Sequence, residues 1–380
     1  MAGRDHSAPE DEGGLGRRAP LPMVLRSRAA LSGEVVSAQA LPLQTLGSTF
    51  TMAQEASWLD ADHFAVGRWD GSLSIFNFND SPTGGPRIAM AVNSPAEEGV
   101  QMITPVPGTS SFFSSNDDRS IALWYSGAPG WAKVSPVTTL GYDPAYGVAN
   151  SGAVVQVDGR SWLVVGHANG CVTVWSAAGP VSWSFVTVAD VRSAHPVNPW
   201  GLANVRAVGV LPAAAGFGFV LTGSEDGNLT VVRIPDGRIM SAAAYNPSAT
   251  RGINSLAVCG DSVLVANCAV GPSDCNLWAF RVDPQSWGIS NTAKANLVVD
   301  PAQPQVFNFD VVWAARDDGQ MTFFCSTEEG ALWMGEMTAD GGLEIQGHEI
   351  ITAKLGSALC RQDARLAVVG YDLRQFRMPS

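Results

Sequence analysis

One hairpin is written over and over along this chain. Residues 220–234 read VLTGSEDGNLTVVRI, an apolar run, a Glu-Asp-Gly turn and a second apolar run. Asp-Gly between two such runs signals a β-hairpin, because Gly accepts the positive φ that tight turns require. Six further segments carry the pattern: HFAVGRWDGSLSIFNF, SFFSSNDDRSIALWYS, WLVVGHANGCVTVWSA, VLVANCAVGPSDCNLWAF, MTFFCSTEEGALWMGEM and LAVVGYDLRQFRM. Their turn centres fall near Gly71, Asp118, Gly170, Gly227, Asp274, Gly330 and Asp372, spaced 42 to 57 residues apart. A recurrent hairpin at that period predicts a β-propeller, in which units too thin to bury both faces alone cover one another.

Each unit has two more strand-like runs beside its hairpin, as GAVVQVDG and PVSWSFVTV flank the third. Four short strands make one blade. The second strands are almost wholly apolar, for example Leu163-Val164-Val165 and Phe219-Val220-Leu221. That pattern suits strands covered on both faces and not the alternation of a half-exposed sheet. The last unit lacks a fourth strand, and GEVVSAQALP near the N-terminus is a strand-like run without a hairpin. Pairing the two leaves no open edge. The expected fold is all-β: a seven-bladed β-propeller over residues 34–380, four antiparallel strands per blade, closed by the N-terminal strand. The polar, Gly/Pro-rich segment 1–33 is expected to be a flexible arm.

The segments GSEDGNLTVVRI, GHANGCVTVWS and CSTEEGALWMG resemble the core of the WD40-repeat family. The likeness extends over about residues 34 to 380 by blade pattern more than by letters. Trp69-Asp70 spells the family's dipeptide but lies in a turn. Where the family ends its third strand, this chain has Trp124-Tyr125, Trp175-Ser176 and Trp333-Met334. Gly166-His167 likewise sits in a hairpin and not before a first strand. The resemblance therefore implies a degenerate WD40-like ring in which most blades lack the family's Asp-His-Ser/Thr-Trp hydrogen-bond network. It also implies a scaffold that presents loops to other proteins. Kelch propellers differ in carrying paired glycines in every unit, which do not recur here.

Composition excludes several classes. A formal charge of −12 opposes direct nucleic-acid binding, which needs Lys and Arg to neutralise phosphates, and suits partners with basic segments. No apolar run approaches the ~18 residues that would insert in a membrane. Six cysteines without a CxxC or a secreted-framework spacing are read as reduced thiols of an intracellular protein, cytoplasmic or nuclear. The sequon Asn228-Leu229-Thr230 would then go unused. The histidines show no metal-ligand spacing, and no nucleophile elbow, P-loop or dinucleotide fingerprint occurs. No catalytic residue, metal or cofactor is expected. The expected function is a non-catalytic interaction scaffold within a multiprotein complex. The alternative is an enzyme or small-ligand protein at the channel mouth, seeded by His167, His195 and Asp226.

The surface that remains is the face carrying the second-to-third-strand turns and the loops between blades. Its turns are acidic at Asp70, Asp117, Asp118, Glu225, Asp226, Asp274, Glu328, Glu329 and Asp372, with Arg68 and Arg119 as exceptions. Acids there either attract a basic segment or simply serve turn chemistry. The loops around the third unit add Tyr142, Tyr146, His195 and Trp200, with His167 between them; exposed aromatics of this kind make interaction hot spots unless they pack locally. Trp69 is the tryptophan that falls in a turn, whereas Trp124, Trp175, Trp278 and Trp333 are expected in the core. The candidate partner-binding residues are thus Trp69, Asp117, Asp118, Tyr142, Tyr146, His167, His195, Trp200, Glu225 and Asp226.

Overall fold

The computed structural model describes residues 34–40, 53–77, 87–93, 99–195, 203–245, 252–268, 275–302, 306–315, 321–351, 356–362, 365–370 and 372–377. The arm at 1–33, Trp200 and Asp274 lie outside them.

Strand β1 (Glu34–Ala40) comes first. Then follow β2 (Ala53–Trp58), β3 (His63–Arg68), β4 (Ser72–Asn77) and β5 (Arg87–Asn93) as the first blade. The second is β6 (Val100–Pro105), β7 (Ser111–Asn116), β8 (Ile121–Ser126) and β9 (Val134–Thr139). The third is β10 (Ala149–Val157), β11 (Arg160–His167), β12 (Cys171–Gly179) and β13 (Ser182–Asp190). The fourth is β14 (Val205–Ala214), β15 (Phe217–Ser224), β16 (Asn228–Ile234) and β17 (Ile239–Ala244). The fifth is β18 (Ile253–Cys259), β19 (Ser262–Asn267), β20 (Leu277–Val282) and β21 (Ile289–Ala295). The sixth is β22 (Asn308–Ala315), β23 (Met321–Thr327), β24 (Ala331–Met337) and β25 (Leu343–Ile350). The final strands are β26 (Gly356–Gln362), β27 (Arg365–Gly370) and β28 (Asp372–Arg377).

Strands β2 to β25 thus form a β-propeller arrangement of six blades, each of four consecutive antiparallel strands. The unit counted from sequence as the seventh differs in kind. Its sheet runs β1-β28-β27-β26, with Glu34 opposite Arg377 and Ala40 opposite Asp372. Three C-terminal strands alone would leave β28 as an open edge, and β1 covers it. First strands pack on one another in order from β2 through β22 to β26, and β26 packs on β2, so the composite sheet closes the ring.

The core lies between the sheets. Strands β3 and β7 are buried at every position, polar side chains such as Ser114 and Arg68 included, while the outermost β9 and β13 are largely exposed. Phe112, Trp124 and Ile103 of the second blade share one apolar cluster with Ala65 and Ile75 of the first. Ala53, Phe64 and Phe76 share another with Ala358, Cys360 and Leu373 of the closing sheet. Burying each such Phe contributes about 1.5–3 kcal/mol before entropy is counted. Trp124, Trp175, Trp278 and Trp333 are all buried on third strands.

The recurring hairpin is a type I turn with a left-handed residue at its end. Gly71, Gly170, Gly227 and Gly330 donate to the carbonyls of Arg68, His167, Ser224 and Thr327 at 3.0–3.1 Å, with φ between 76° and 84°. Asp226 itself does not adopt positive φ, so the turn is not the two-residue type in which both central residues are left-handed. In the second blade the left-handed position is held by Arg119, at φ 68°. Among the described residues no helix is long and apolar enough to cross a membrane.

Candidate functional site

The first strand of every sheet carries a bulge at the same place. Pairing skips one residue between Ala53 and Glu55, Val100 and Met102, Ala149 and Ser151, Val205 and Ala207, Ile253 and Ser255, Asn308 and Asp310, and Gly356 and Ala358. A bulge leaves the extra residue outside the ladder and re-aims its side chain. The extra residues are Gln54, Gln101, Asn150, Arg206, Asn254, Phe309 and Ser357, polar at all positions but Phe309. The signal is a polar letter in the second position of six of the seven first strands (AQE, VQM, ANS, VRA, INS, GSA), and the sequence displays it.

Many of these polar groups tie one blade to the next. Asn150 Nδ2 donates to Asn204 Oδ1, Asn204 Nδ2 donates to Glu225 Oε2 at 3.2 Å, and Arg206 Nε lies 3.9 Å from Glu225 Oε1. Asn254 Nδ2 donates to Asn308 O at 2.8 Å, and Ser255 Oγ to Asp310 Oδ1 at 2.5 Å. The turns join the same rim, since the Asp117, Glu225 and Glu328 amides donate to the carbonyls of Gly99, Asn204 and Phe307. The expectation that hairpin turns and blade-joining loops share a face is met by these bonds.

Turn chemistry accounts for most of the acids. Asp70, Asp118 and Asp226 each accept, through Oδ1, the amide two residues ahead, at 3.0, 2.8 and 3.3 Å. Glu328 accepts from Phe307 N at 2.9 Å, and Glu329 from Val299 N at 3.0 Å. These carboxylates satisfy backbone donors that would otherwise be left over where the chain reverses.

Of the blade-three candidates, His167 is interior, and the half-buried Tyr142 and Tyr146 pack against it. His167 is fully buried, its Nε2 lies 2.8 Å from Thr173 Oγ1, and Trp175 Nε1 donates to the same hydroxyl at 3.2 Å. The Tyr142 and Tyr146 rings lie 4.7 and 5.8 Å from the imidazole. Burial pulls the His167 pKa down to about 4, so the ring is neutral. Burial also pushes the Tyr142 phenol up to about 12, and its hydroxyl donates to Gly147 O at 3.1 Å. His167 is therefore not a contact residue of an exposed loop: its ring is sealed under two tyrosines.

His195 and Asp226 are likewise withdrawn from the surface. His195 Nδ1 lies 2.5 Å from Asp226 Oδ2, with both side chains wholly buried. As partner-binding residues, and as seeds of a channel-mouth catalytic cluster, they are corrected to a pair that ties the turn after β15 to the loop before β14. Asn228 of the sequon is also fully buried, so its amide is closed to a glycosyl transferase in the folded chain. Sequence shows acid and histidine letters alike; only packing distinguishes those facing solvent from those facing one another.

What stays open is the rim of the first two blades. Trp69 is 53% exposed. A Cβ built on Gly99 would lie 2.8 Å from Gln54 Oε1 and 2.9 Å from Asp117 Oδ2, with the Trp69 carbonyl at 3.5 Å, so these groups converge on Gly99 and a side chain there would push the ends of Gln54 and Asp117 aside. Gln101 Nε2 donates to Asp117 Oδ1 at 2.6 Å, and Asp118 is exposed beside it. The result is an exposed aromatic residue on a turn whose backbone passes beside Gly99, with Gln54, Gln101, Asp117 and Asp118 on the same rim. Such a surface can cover an aliphatic stem and pair a cationic head. Among the described residues no group of three or more His, Cys, Asp or Glu side chains is placed to hold a metal. Neither the protein-family models nor the curated proteins contain a match to this chain.

Proposed function

We propose that the protein is a non-catalytic interaction scaffold, a subunit of an intracellular multiprotein complex, and that it docks basic segments of partner proteins on the rim around Trp69. Counted with its composite closing sheet, the ring is a degenerate seven-bladed WD40-like propeller. Three partial hydrogen-bond sets support that kinship: Asp226 with His195, His167 with Thr173 and Trp175, and Trp124 Nε1 with Ser114 Oγ at 2.8 Å. Each holds part of the Asp-His-Ser/Thr-Trp network, and no single one of these blades combines all four. Six cysteines, none in a disulfide among the described residues, fit a reducing compartment.

The observation that carries the docking site is the exposure of Trp69 on the rim that also holds Asp117, whose Oδ1 accepts from Gln101 Nε2, and the exposed Asp118. A large aromatic held on a rigid turn loses little entropy on binding and buries much area. Affinity capture of the tagged chain, with Trp69→Ala and Asp117→Asn/Asp118→Asn variants in parallel, tests the reading. A stoichiometric protein partner whose affinity falls about tenfold or more in either variant supports it. Equal capture by all three proteins, each with an unchanged melting temperature, refutes the docking site.

A further inference from the structure

Two carboxyls sit at equivalent places in the ring, each next after the bulge of its first strand: Glu55 on β2 and Asp310 on β22. Strand β26 of the closing sheet packs between those strands, and its residue at the same register is Ala358. Asp310 reaches across to β26, where Leu359 N donates to its Oδ2 at 2.7 Å; Val311 N and Ser255 Oγ donate to Oδ1 at 2.8 and 2.5 Å. Among the described residues Glu55 receives only the amide of Ala56, at 3.1 Å, and it lies within electrostatic reach of Asp310. The buried Cys360 of β26 feels both carboxyls.

Among the described residues little positive charge offsets them. Arg206 of β14 acts on Glu55 at longer range and stands beside Glu225. Arg68 of β3 is turned to Ser72 and Ser74, Arg365 of β27 to Asp62, and Arg361 of β26 donates to Trp313 O. Strands β6 and β18 bring no charged side chain, and the buried Cys325 thiol near Asp310 stays neutral. Burial, then the Asp310 charge, raises the Glu55 carboxyl to about 8, and burial raises Asp310 to about 6. At neutral pH one carboxyl is charged and fully hydrogen-bonded while the other keeps its proton.

We propose that closure of the ring is proton-linked: the proton held by Glu55 keeps β26 seated between β2 and β22, and its loss puts two charges across β26 and loosens the closing sheet. The sheet is suited to such a switch because it alone is assembled from both ends of the described chain. Its opening unseats β26, β27 and β28 without breaking a blade of consecutive strands. Because Glu55 binds its proton more tightly folded than unfolded, the contribution is present at mildly acid pH. It is lost as pH rises from about 4.5 to about 8.

Hydrogen exchange on the full chain at pH 6.5 and pH 9, corrected for the intrinsic pH dependence of exchange, tests this. Protection of amides in residues 356–362 falls about tenfold or more at the higher pH, while blade three over residues 160–176 keeps its protection. Glu55→Gln, neutral at both pH values, removes the fall. An equal loss in both regions overturns the proposal, as does an undiminished fall in Glu55→Gln. Should that variant not fold, the wild-type comparison decides alone, since unchanged protection at 356–362 overturns it too.

Discussion

His195 Nδ1 and Asp226 Oδ2 lie 2.5 Å apart with neither side chain reaching solvent, one from the loop that leaves blade three and the other from the hairpin of blade four. The bond joins segments 31 residues apart and holds the hairpin turn against the chain entering its own blade. Removing one partner leaves the other buried and unsatisfied. Asp226→Ala should therefore lower stability by about 1–3 kcal/mol, and His195→Ala by a similar amount. In the double variant the loss should be well short of the sum, because the second change removes a group that already lacks its partner. Urea denaturation of the four proteins checks this.

The hairpin of blade two pays an avoidable strain. Arg119 occupies the left-handed position that Gly71, Gly170, Gly227 and Gly330 hold elsewhere. Arg119→Gly should raise stability by about 0.5–1 kcal/mol, reduced by its bond to Pro144 O, 3.3 Å long and exposed. The reverse change, Gly170→Ala, should cost more than that, because its Cβ would also fall 2.3 Å from Arg192 Cγ. Thermal melts of both variants give the sign of each.

His167 makes an acid-side prediction. Its pKa is pulled down to about 4 by burial, below the ordinary 6.5, so the unfolded chain takes up a proton that the folded chain refuses. Stability from this group is complete above pH 6.5 and is lost as pH falls toward 4. His167→Gln should lower stability at pH 7 but flatten that acid-side loss. The difference between variant and wild-type melting temperatures, plotted from pH 4 to pH 7.5, should shrink toward the acid end. A constant difference would show that the imidazole does not titrate with folding.

The outermost strand of blade three is largely exposed and uncharged before Asp190, with Phe185, Val186 and Val188 among its exposed residues. An edge of this kind is prone to pair with another chain. Val186→Lys with Val188→Lys should slow aggregation on heating, measured by light scattering, and shift the melting temperature by no more than about 1–2 °C, as surface changes do.

Much of the architecture was legible in the letters because it follows from short-range rules. Seven apolar-turn-apolar segments at a near-constant interval name the hairpins, and runs such as Phe64-Ala65-Val66 name the doubly covered strands. The short last unit and the spare run at 34–40 pointed to the pairing of β1 with β28. The site was far less legible. Asp70, Asp118 and Asp226 are the same kind of letter in the same kind of turn, yet Asp118 is exposed and Asp226 is 2% exposed against a histidine. Glu55 and Asp310, 255 residues apart, have nothing in their local sequence that relates them.

Periodicity and turn chemistry act over a few residues, so the sequence by itself determined that this chain makes hairpins and that its units must stack. Burial and charge coupling arise only when the ring brings distant first strands together. The closed ring therefore decided which histidines are sealed, which acids serve the backbone, that Trp69 stands free at the rim, and that one proton sits where the two ends of the described chain meet.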